Sequence, residues 1–310
     1  MLRWRFLTTR TIEPVADLGG TEQAVLNLAA ALRARGHDVS MGTGAMSGAD
    51  VCVAVNDARL LPDAPGLPVV WFHNEVSLWR ECRRGRLAAL WRTRPVAVFL
   101  GALQAKQAPA LPLFRRRVVI LHGVPDAMLR APPAEWPPAP QAVFLSQAYR
   151  GLKEVISVWR RSVAPAMPGA RLSAFVQPHE IGRYRALARG EASIAIQARV
   201  AHAAIRGVLR GARVVLAPGH RSETFCLVAA EAAAMGVPVV TRGWGALAER
   251  VRDGETGFVC GSWRGFARRT LELLGDDELW RRLQAGGLAT REAAGWDRAA
   301  RAWETLIDGG

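Results

Sequence analysis

Short apolar runs recur along the chain, most of them followed by a polar or glycine-bearing turn. In the first 125 residues the pattern predicts strands at "RWRFLTT" (3–9), "DVSMGTG" (38–44), "DVCVAV" (50–55), "PVVWFH" (68–73), "VAVFLG" (96–101) and "RVVILHG" (117–123). From residue 142 the rhythm returns with "AVFLS" (142–146), "RLSAFV" (171–176), "SIAIQ" (193–197), "RVVLAP" (213–218), "PVVT" (238–241) and "GFVC" (257–260). Several of these are apolar at consecutive positions, as strands covered on both faces require. Between them lie stretches of helical period. In "TEQAVLNLAAALRARG", Ala24, Leu28, Ala31 and Leu32 form a stripe, with Thr21 as the expected N-cap and Gly36 closing the helix. Further helices are expected from about 151 to 164, over the segment beginning near Thr224, and through most of 262–308. Strands alternating with helices predict parallel sheets covered on both faces, one doubly wound sheet in each half. The halves part at "RAPPAEWPPAP" (130–140), where five prolines in eleven residues can sustain neither a helix nor a central strand.

Composition narrows the function classes. Half of the 310 residues are hydrophobic, ample for two cores, yet no run approaches the roughly 20 apolar residues of a membrane span. The start, "MLRWRFLTTRTIEP", has neither the apolar region nor the cleavage site of a secretory signal and reads as a first strand. Cys52, Cys82, Cys226 and Cys260 lie far apart with no C-x-x-C spacing, which fits a reducing cytoplasm better than a zinc site or a disulfide framework. The formal charge is +14, almost wholly from arginine, since Lys106 and Lys153 are the only lysines. That balance suits an anionic partner, and equally a general compositional bias toward arginine and alanine. Nucleic-acid binding finds no support: there are two tyrosines, and the eleven tryptophans are scattered rather than gathered into a stacking platform. A nicotinamide oxidoreductase is excluded too. Its G-x-G-x-x-G should follow the first strand; "LGGTE" stands there, and "GTGAMSG" (42–48) has the wrong spacing.

The chemistry concentrates in "HRSETFCLVAAEAAAMGVPVV" (220–240). Ligands of an open parallel sheet bind beyond the carboxyl ends of its strands, so the loop after "RVVLAP" lies where a ligand would. Glu223 is expected in that loop or at the helix mouth, either facing a ligand or stabilising the helix dipole. Glu231 lies among Ala229, Ala230, Ala232 and Ala233, where a buried unpaired carboxylate would be costly. Eight residues apart, the two glutamates would point about 80° apart around a helix, so they are expected to touch different parts of an extended ligand.

"ETFCLVAAEAAAMGVPVV" resembles the signature of glycosyltransferase family 4: a glutamate, seven residues, a second glutamate, then Gly-x-Pro-Val-Val. "GWGALAERVRDGETGFVC" is similar to the family's following glycines, glutamate and Asp-Gly-x-Thr-Gly turn, and "GGTEQAVLNLAAALRARGHDV" to its N-terminal glycine loop and first helix. "LHGVPD" (121–126) and "WDRAARAWETL" (296–306) resemble its interdomain crossing and its tail helix. The resemblance implies a GT-B fold, two Rossmann-like α/β domains facing across a cleft. Residues 1–129 would form the acceptor-side domain, 130–140 a linker and 141–295 the nucleotide-sugar domain, with 296–310 a helix crossing back to the first domain.

The resemblance also implies roles. Glu223 would bind donor-sugar hydroxyls at the reacting centre, with His73, at the end of "PVVWFH", beside it. Glu231 would bind the donor ribose, and Gly19 and Gly20 would let the backbone approach the diphosphate or acceptor. In "FLSQAYRGLKE", Arg150 falls at the family's phosphate-binding lysine, with Lys153 in reserve, and Ser146 stands where the family has an arginine. Arginine keeps the charge and adds a phosphate-matching fork. Glu249 would lie near the donor, and His122 is read as structural. The implied reaction is metal-independent, retaining transfer of a sugar from a UDP- or GDP-linked donor to a glycan or glycolipid hydroxyl, with no further cofactor; no Asp-x-Asp motif occurs. The arginine clusters "RECRRGR" (80–86) and "FRRR" (114–117) make an anionic membrane surface a further candidate partner. The expected location is the cytoplasm, with the inner face of its membrane as a site of peripheral attachment. The competing reading is a non-catalytic partner subunit that keeps the GT-B fold and binds nucleotide sugar or another glycosyltransferase without turnover, which Ser146 favours and Glu223 and Glu231 oppose.

Overall fold

The computed structural model describes residues 1–12, 18–44, 48–61 and 65–308. The chain divides into two compact units, Met1–Pro125 with Gly295–Gly310, and Asp126–Ala294.

The first unit holds β1 (Arg3–Leu7), β2 (Asp38–Gly42), β3 (Val51–Val55), β4 (Leu67–Trp71), β5 (Val96–Phe99) and β6 (Arg116–Val119). They pair in parallel in the order β2-β1-β3-β4-β5-β6. Phe6, Val53, Val69 and Val96 lie in register across four of these strands. Its helices are α1 (Gly20–Ala34), α2 (Leu78–Arg83), α3 (Leu87–Thr93), α4 (Ala102–Gln107) and, from the end of the chain, α14 (Trp296–Asp308). Every residue of β3 is buried, which explains its unbroken apolar run. The core stacks Phe72 on Phe99 at 5.5 Å between ring centres, with Phe114 edge-on to both.

α1 begins two residues earlier than the expected Thr21 cap would place it. Gly19, extended, is its N-cap, so Thr21 falls inside the first turn and caps nothing. The buried stripe is Ala24, Val25, Leu28, Ala29 and Leu32, while Ala31 is only half-buried. α14 packs against α1 and the sheet: Trp303 meets Trp71 edge-on at 5.0 Å and Trp4 at 6.2 Å. At its polar edge Arg35 grips Glu304 with Nε and Nη2, at 2.7 and 2.8 Å. A Cβ on Gly123 would sit 2.5 Å from the Trp296 backbone, so glycine is what lets these segments approach.

The second unit holds β7 (Gln141–Phe144), β8 (Arg171–Val176), β9 (Ile194–Ala198), β10 (Val214–Leu216), β11 (Val239–Thr241) and β12 (Gly257–Val259). Again all pairs are parallel, in the order β12-β11-β10-β7-β8-β9. The helices are α5 (Asp126–Leu129), α6 (Leu152–Val158), α7 (Ala164–Ala166), α8 (Ile181–Ala188), α9 (His202–Arg210), α10 (Leu227–Ala234), α11 (Leu247–Arg250), α12 (Trp263–Gly275) and α13 (Asp277–Leu288). Phe144, Trp159, Leu172, Val214, Leu216 and Phe266 centre its core. The helix read over 151–164 is α6 and α7 joined by a wide turn at Trp159–Val163.

Two local features differ from the sequence reading. The proline-rich stretch 130–140 lies within the second unit, where the carbonyls of Ala131, Ala134 and Pro138 accept from Arg291, Gln284 and Arg213. Prolines forbid regular structure there but leave backbone carbonyls, their own included, as acceptors. α10 starts at Leu227, not near Thr224, because Cys226 is left-handed (φ 64°) and interrupts helical geometry just before it. Glu223 therefore belongs to a loop, and the 80° separation from Glu231 around one helix does not apply.

Candidate functional site

In a parallel sheet every strand ends on the same edge, so the loops after β7, β10 and β11 are neighbours by construction. After β7 the chain makes a tight turn at Ala148–Arg150 and passes through Gly151 at φ 106° into α6. A Cβ there would lie 2.9 Å from the Pro218 ring, so the turn is held against the loop that follows β10. That loop, Gly219–Glu223, is held in turn by the one after β11. Gly219 bridges Trp244, and the Ala246 N–H donates to the Glu223 carbonyl at 2.9 Å. Gly245 (φ 63°) approaches so closely that a Cβ would come within 2.3 Å of the His220 carbonyl.

This packing brings Arg150 and Glu223 together from positions 73 residues apart, and Arg150 Nη1 donates to Glu223 Oε2. Arg150 Nε also donates to the Tyr149 hydroxyl at 3.2 Å. Glu223 is buried. Burial pushes its carboxyl above the usual range, and the charge and hydrogen bond of Arg150 act against that rise. His220 is oriented by Ser222, whose Oγ lies 2.7 Å from Nδ1 and whose N–H donates to the same nitrogen at 3.2 Å. Its ring meets Tyr149 edge-on at 5.4 Å.

Glu231 is not brought to this cluster by any direct bond. It is 1% exposed, on a helix buried on nearly every side. His202 Nε2, from the start of α9, lies 2.6 Å from its Oε1, and this bond raises the His202 pKa above its ordinary value. Lys153 is exposed in the first turn of α6. Glu249, on α11, lies 3.5 Å from Arg250 Nη2, and Arg250 covers the Phe225 ring at 5.2 Å. Ser146 is half-buried just past β7.

The first unit carries the remaining residues. His73 follows β4 and is buried against Trp71, with ring centres 4.2 Å apart, and against His122 at 5.0 Å. Its backbone N–H donates to Asn56 Oδ1 at 2.7 Å, and burial pushes its pKa down to about 3, so the ring is neutral at working pH. The loop beyond it hangs on a buried amide. Gln104 Nε2 donates to the carbonyls of Phe72 (3.0 Å) and Asn74 (2.8 Å), while its Oε1 accepts the Leu100 N–H at 2.7 Å. A cavity of about 280 Å³ opens where β1 and β3 diverge, lined among others by Thr8, Thr21, Glu22, Asn56, Asn74 and Arg86. This is the topological switch point of the sheet, where the strand order reverses, and Gly19 and Gly20 begin α1 beside it.

Sequence reasoning missed Tyr149, His202, His220, Asn56 and Asn74. His202 and His220 are isolated histidines in their segments, and only the fold reveals their partners. Asn56 had one signal, its place directly after a strand. Its φ of 61° is one that asparagine tolerates better than most residues. Among the described residues, no group of three histidine, cysteine or carboxylate side chains could hold a metal ion, and no helix is long and apolar enough to cross a membrane.

Residues 140–276 match the sequence profile of the family Glycosyl transferases group 1. Over 198 residues the chain is 31% identical to the D-inositol 3-phosphate glycosyltransferase of Streptomyces scabiei, a match covering 63% of this chain and 40% of that relative. The chain thus spans less than half the length of the curated relatives it matches. Among solved structures, HepE from Anabaena in complex with UDP superimposes with a TM-score of 0.78 at 14% identity, over the full length of both chains. Sucrose-phosphate synthase from Thermosynechococcus elongatus gives 0.76 at 17% identity, covering 99% of this chain and 98% of its own. With two parallel six-stranded sheets flanked by helices, and these neighbours across its whole length, the chain has the GT-B fold, and its second unit carries the sequence pattern of the group 1 glycosyl transferases.

Proposed function

We propose that the protein is a retaining hexosyltransferase that moves a sugar from a UDP- or GDP-linked donor to a hydroxyl of a glycan or glycolipid acceptor, without a metal. The observation that carries this reading is the ion pair of the half-buried Arg150 with the buried Glu223 at the carboxyl edge of the second sheet, inside the stretch that matches the group 1 glycosyl transferases. A guanidinium held by a single carboxylate keeps further N–H donors for phosphate. A buried carboxylate accepts hydrogen bonds from sugar hydroxyls.

In this reading the bond between the sugar's anomeric carbon and the β-phosphate oxygen breaks, and a bond from that carbon to the acceptor oxygen forms on the same face. The acceptor's proton leaves with the departing diphosphate. Arg150 stabilises the charge that develops on the leaving group, with Lys153 as a second cation. Glu223 holds the hydroxyls of the oxocarbenium-like sugar, and Glu231 holds the ribose. Glu249 is assigned to the donor side. In the first unit, the neutral His73 is assigned as a hydrogen-bonding group in catalysis, on the acceptor side. Gly19 and Gly20 admit the ligand to the backbone amides of α1, and the neighbouring cavity takes the acceptor.

Assembly of cell-envelope or extracellular polysaccharide and glycolipid is the assigned role, carried out in the cytoplasm. Peripheral attachment to an anionic membrane draws support from α2 and α3, where Trp79 and Trp91 are 65% and 62% exposed among Arg80, Arg83, Arg84 and Arg92. Basic residues near such a surface contribute about 1 kcal/mol each.

Titration calorimetry of UDP, GDP and their sugar conjugates tests the donor site in wild type, Arg150→Ala and Glu231→Ala. Micromolar binding of one nucleotide, weakened in both variants, is expected. A folded wild type that binds none would sink the reading. Ser146, in place of an arginine, favours the alternative of a GT-B partner subunit without turnover. Donor binding with no product from any donor would favour that alternative.

A further inference from the structure

We propose that His202 is the positioning residue for Glu231: it holds one carboxylate oxygen so that the other is aimed at the ribose hydroxyls of a nucleoside diphosphate. The inference rests on the reading that Glu231 grips the donor ribose.

α10 is an unusual place for an acid. Val228, Ala229, Ala232, Ala233 and Ala234 are all buried, and Glu231 is as buried as they are. A carboxylate among such neighbours either meets a partner or gives up its charge. The partner comes from another element. His202 is the first residue of α9, just past β9, and its side chain keeps 27% of its surface in solvent. It therefore stands on the carboxyl edge of the sheet, where a ligand arrives, and reaches inward to Oε1 at 2.6 Å.

That geometry does two things. With Nε2 carrying a proton, the imidazole donates to Oε1 in either charge state, so the torsions of the Glu231 side chain are set before any ligand binds. Oε2 is then the oxygen assigned to the ribose, whose vicinal hydroxyls offer two donors to one acceptor. A free glutamate side chain would lose rotamer freedom on binding, whereas one already tethered has lost it on folding.

A histidine that merely neutralised a buried acid would show the same distance. The experiment separates the two roles by the ligand. Binding of UDP and GDP, and of their 2′,3′-dideoxy forms, is measured by calorimetry with wild type, His202→Ala, His202→Gln and Glu231→Gln, with circular dichroism as the check on folding. Wild type is expected to prefer the ribose form of its nucleotide by about tenfold, the worth of a charge-assisted hydrogen bond. His202→Ala should lose most of that preference by weakening only the ribose form, and Glu231→Gln should do likewise. His202→Gln, whose amide N–H can take the place of Nε2, should regain much of it. A ribose preference unchanged in His202→Ala, or equal weakening of both forms, would overturn the positioning role and leave charge neutralisation. Wild type binding neither nucleotide would instead overturn the donor reading beneath it, a result seen before any variant is examined.

Discussion

His73 makes a prediction that needs no knowledge of any substrate. Its ring is enclosed by Trp71 and His122, and burial lowers its pKa from 6.5 to about 3. A histidine that is neutral when folded but protonates when unfolded costs stability as the pH falls below 6.5, because the unfolded chain then binds the extra proton. The cost grows until the folded value is reached. At pH 5 the unfolded histidine is about 1.5 units below its midpoint, and at about 1.4 kcal/mol per unit the loss is about 2 kcal/mol. His73→Phe keeps an aromatic ring and removes the titration. Amide exchange at Val69, Val70 and Trp71 in β4, corrected for intrinsic rates, reports the opening free energy of this unit at pH 8 and pH 5. Wild type should lose about 2 kcal/mol more than His73→Phe over that interval, whatever the variant's absolute stability. Equal losses would refute the claim that this histidine is held neutral by burial, and with it the use of His73 as a neutral hydrogen-bonding group.

The remaining predictions concern pairs, turns and surface. Arg150→Met leaves Glu223 buried without its cation and should cost about 2 kcal/mol in urea unfolding, with much of it recovered in the double variant Arg150→Met, Glu223→Gln. Gly151→Ala places a Cβ at φ 106° and 2.9 Å from the Pro218 ring, and should destabilise the second unit by more than about 1 kcal/mol, read as a lower unfolding midpoint. Vesicles containing anionic lipid should co-sediment wild type at low salt and release it at high salt, and Trp79→Ala with Trp91→Ala should abolish retention. Equal retention by neutral vesicles would argue against an anionic surface.

The central strands were legible because each is short, apolar and closed by a turn, and burial on both faces, as in β3 and β10, removes the polar alternation that would otherwise confuse the signal. Helix ends were less so. Thr21 is a good cap by type, yet Gly19 takes the cap position and the threonine falls inside the first turn. Cys226 reads as ordinary helix, and nothing in its type announces a φ of 64°. The prolines of 130–140 correctly exclude regular structure, but the hydrogen bonds that the carbonyls of this stretch accept from Arg213, Gln284 and Arg291 come from residues 75 to 160 positions away. The candidate site divides along the same line. Glu223 stood out as an acid in the loop beyond a strand's carboxyl end, and Glu231 as an acid among alanines, which are local signals. Their partners Arg150 and His202 lie 73 and 29 residues away and come to them only through the parallel sheet.

Turnover is the central claim, and the anomer-resolved fate of the donor tests it most directly. Purified protein is incubated with UDP- and GDP-linked hexoses in water, and proton NMR follows both nucleotide release and the configuration of the sugar first set free. Slow release from one donor is expected, with the new sugar appearing first in the donor's own anomeric form and release lost in Arg150→Ala. No nucleotide released from a donor that the protein binds, or release of the inverted anomer, would contradict the account.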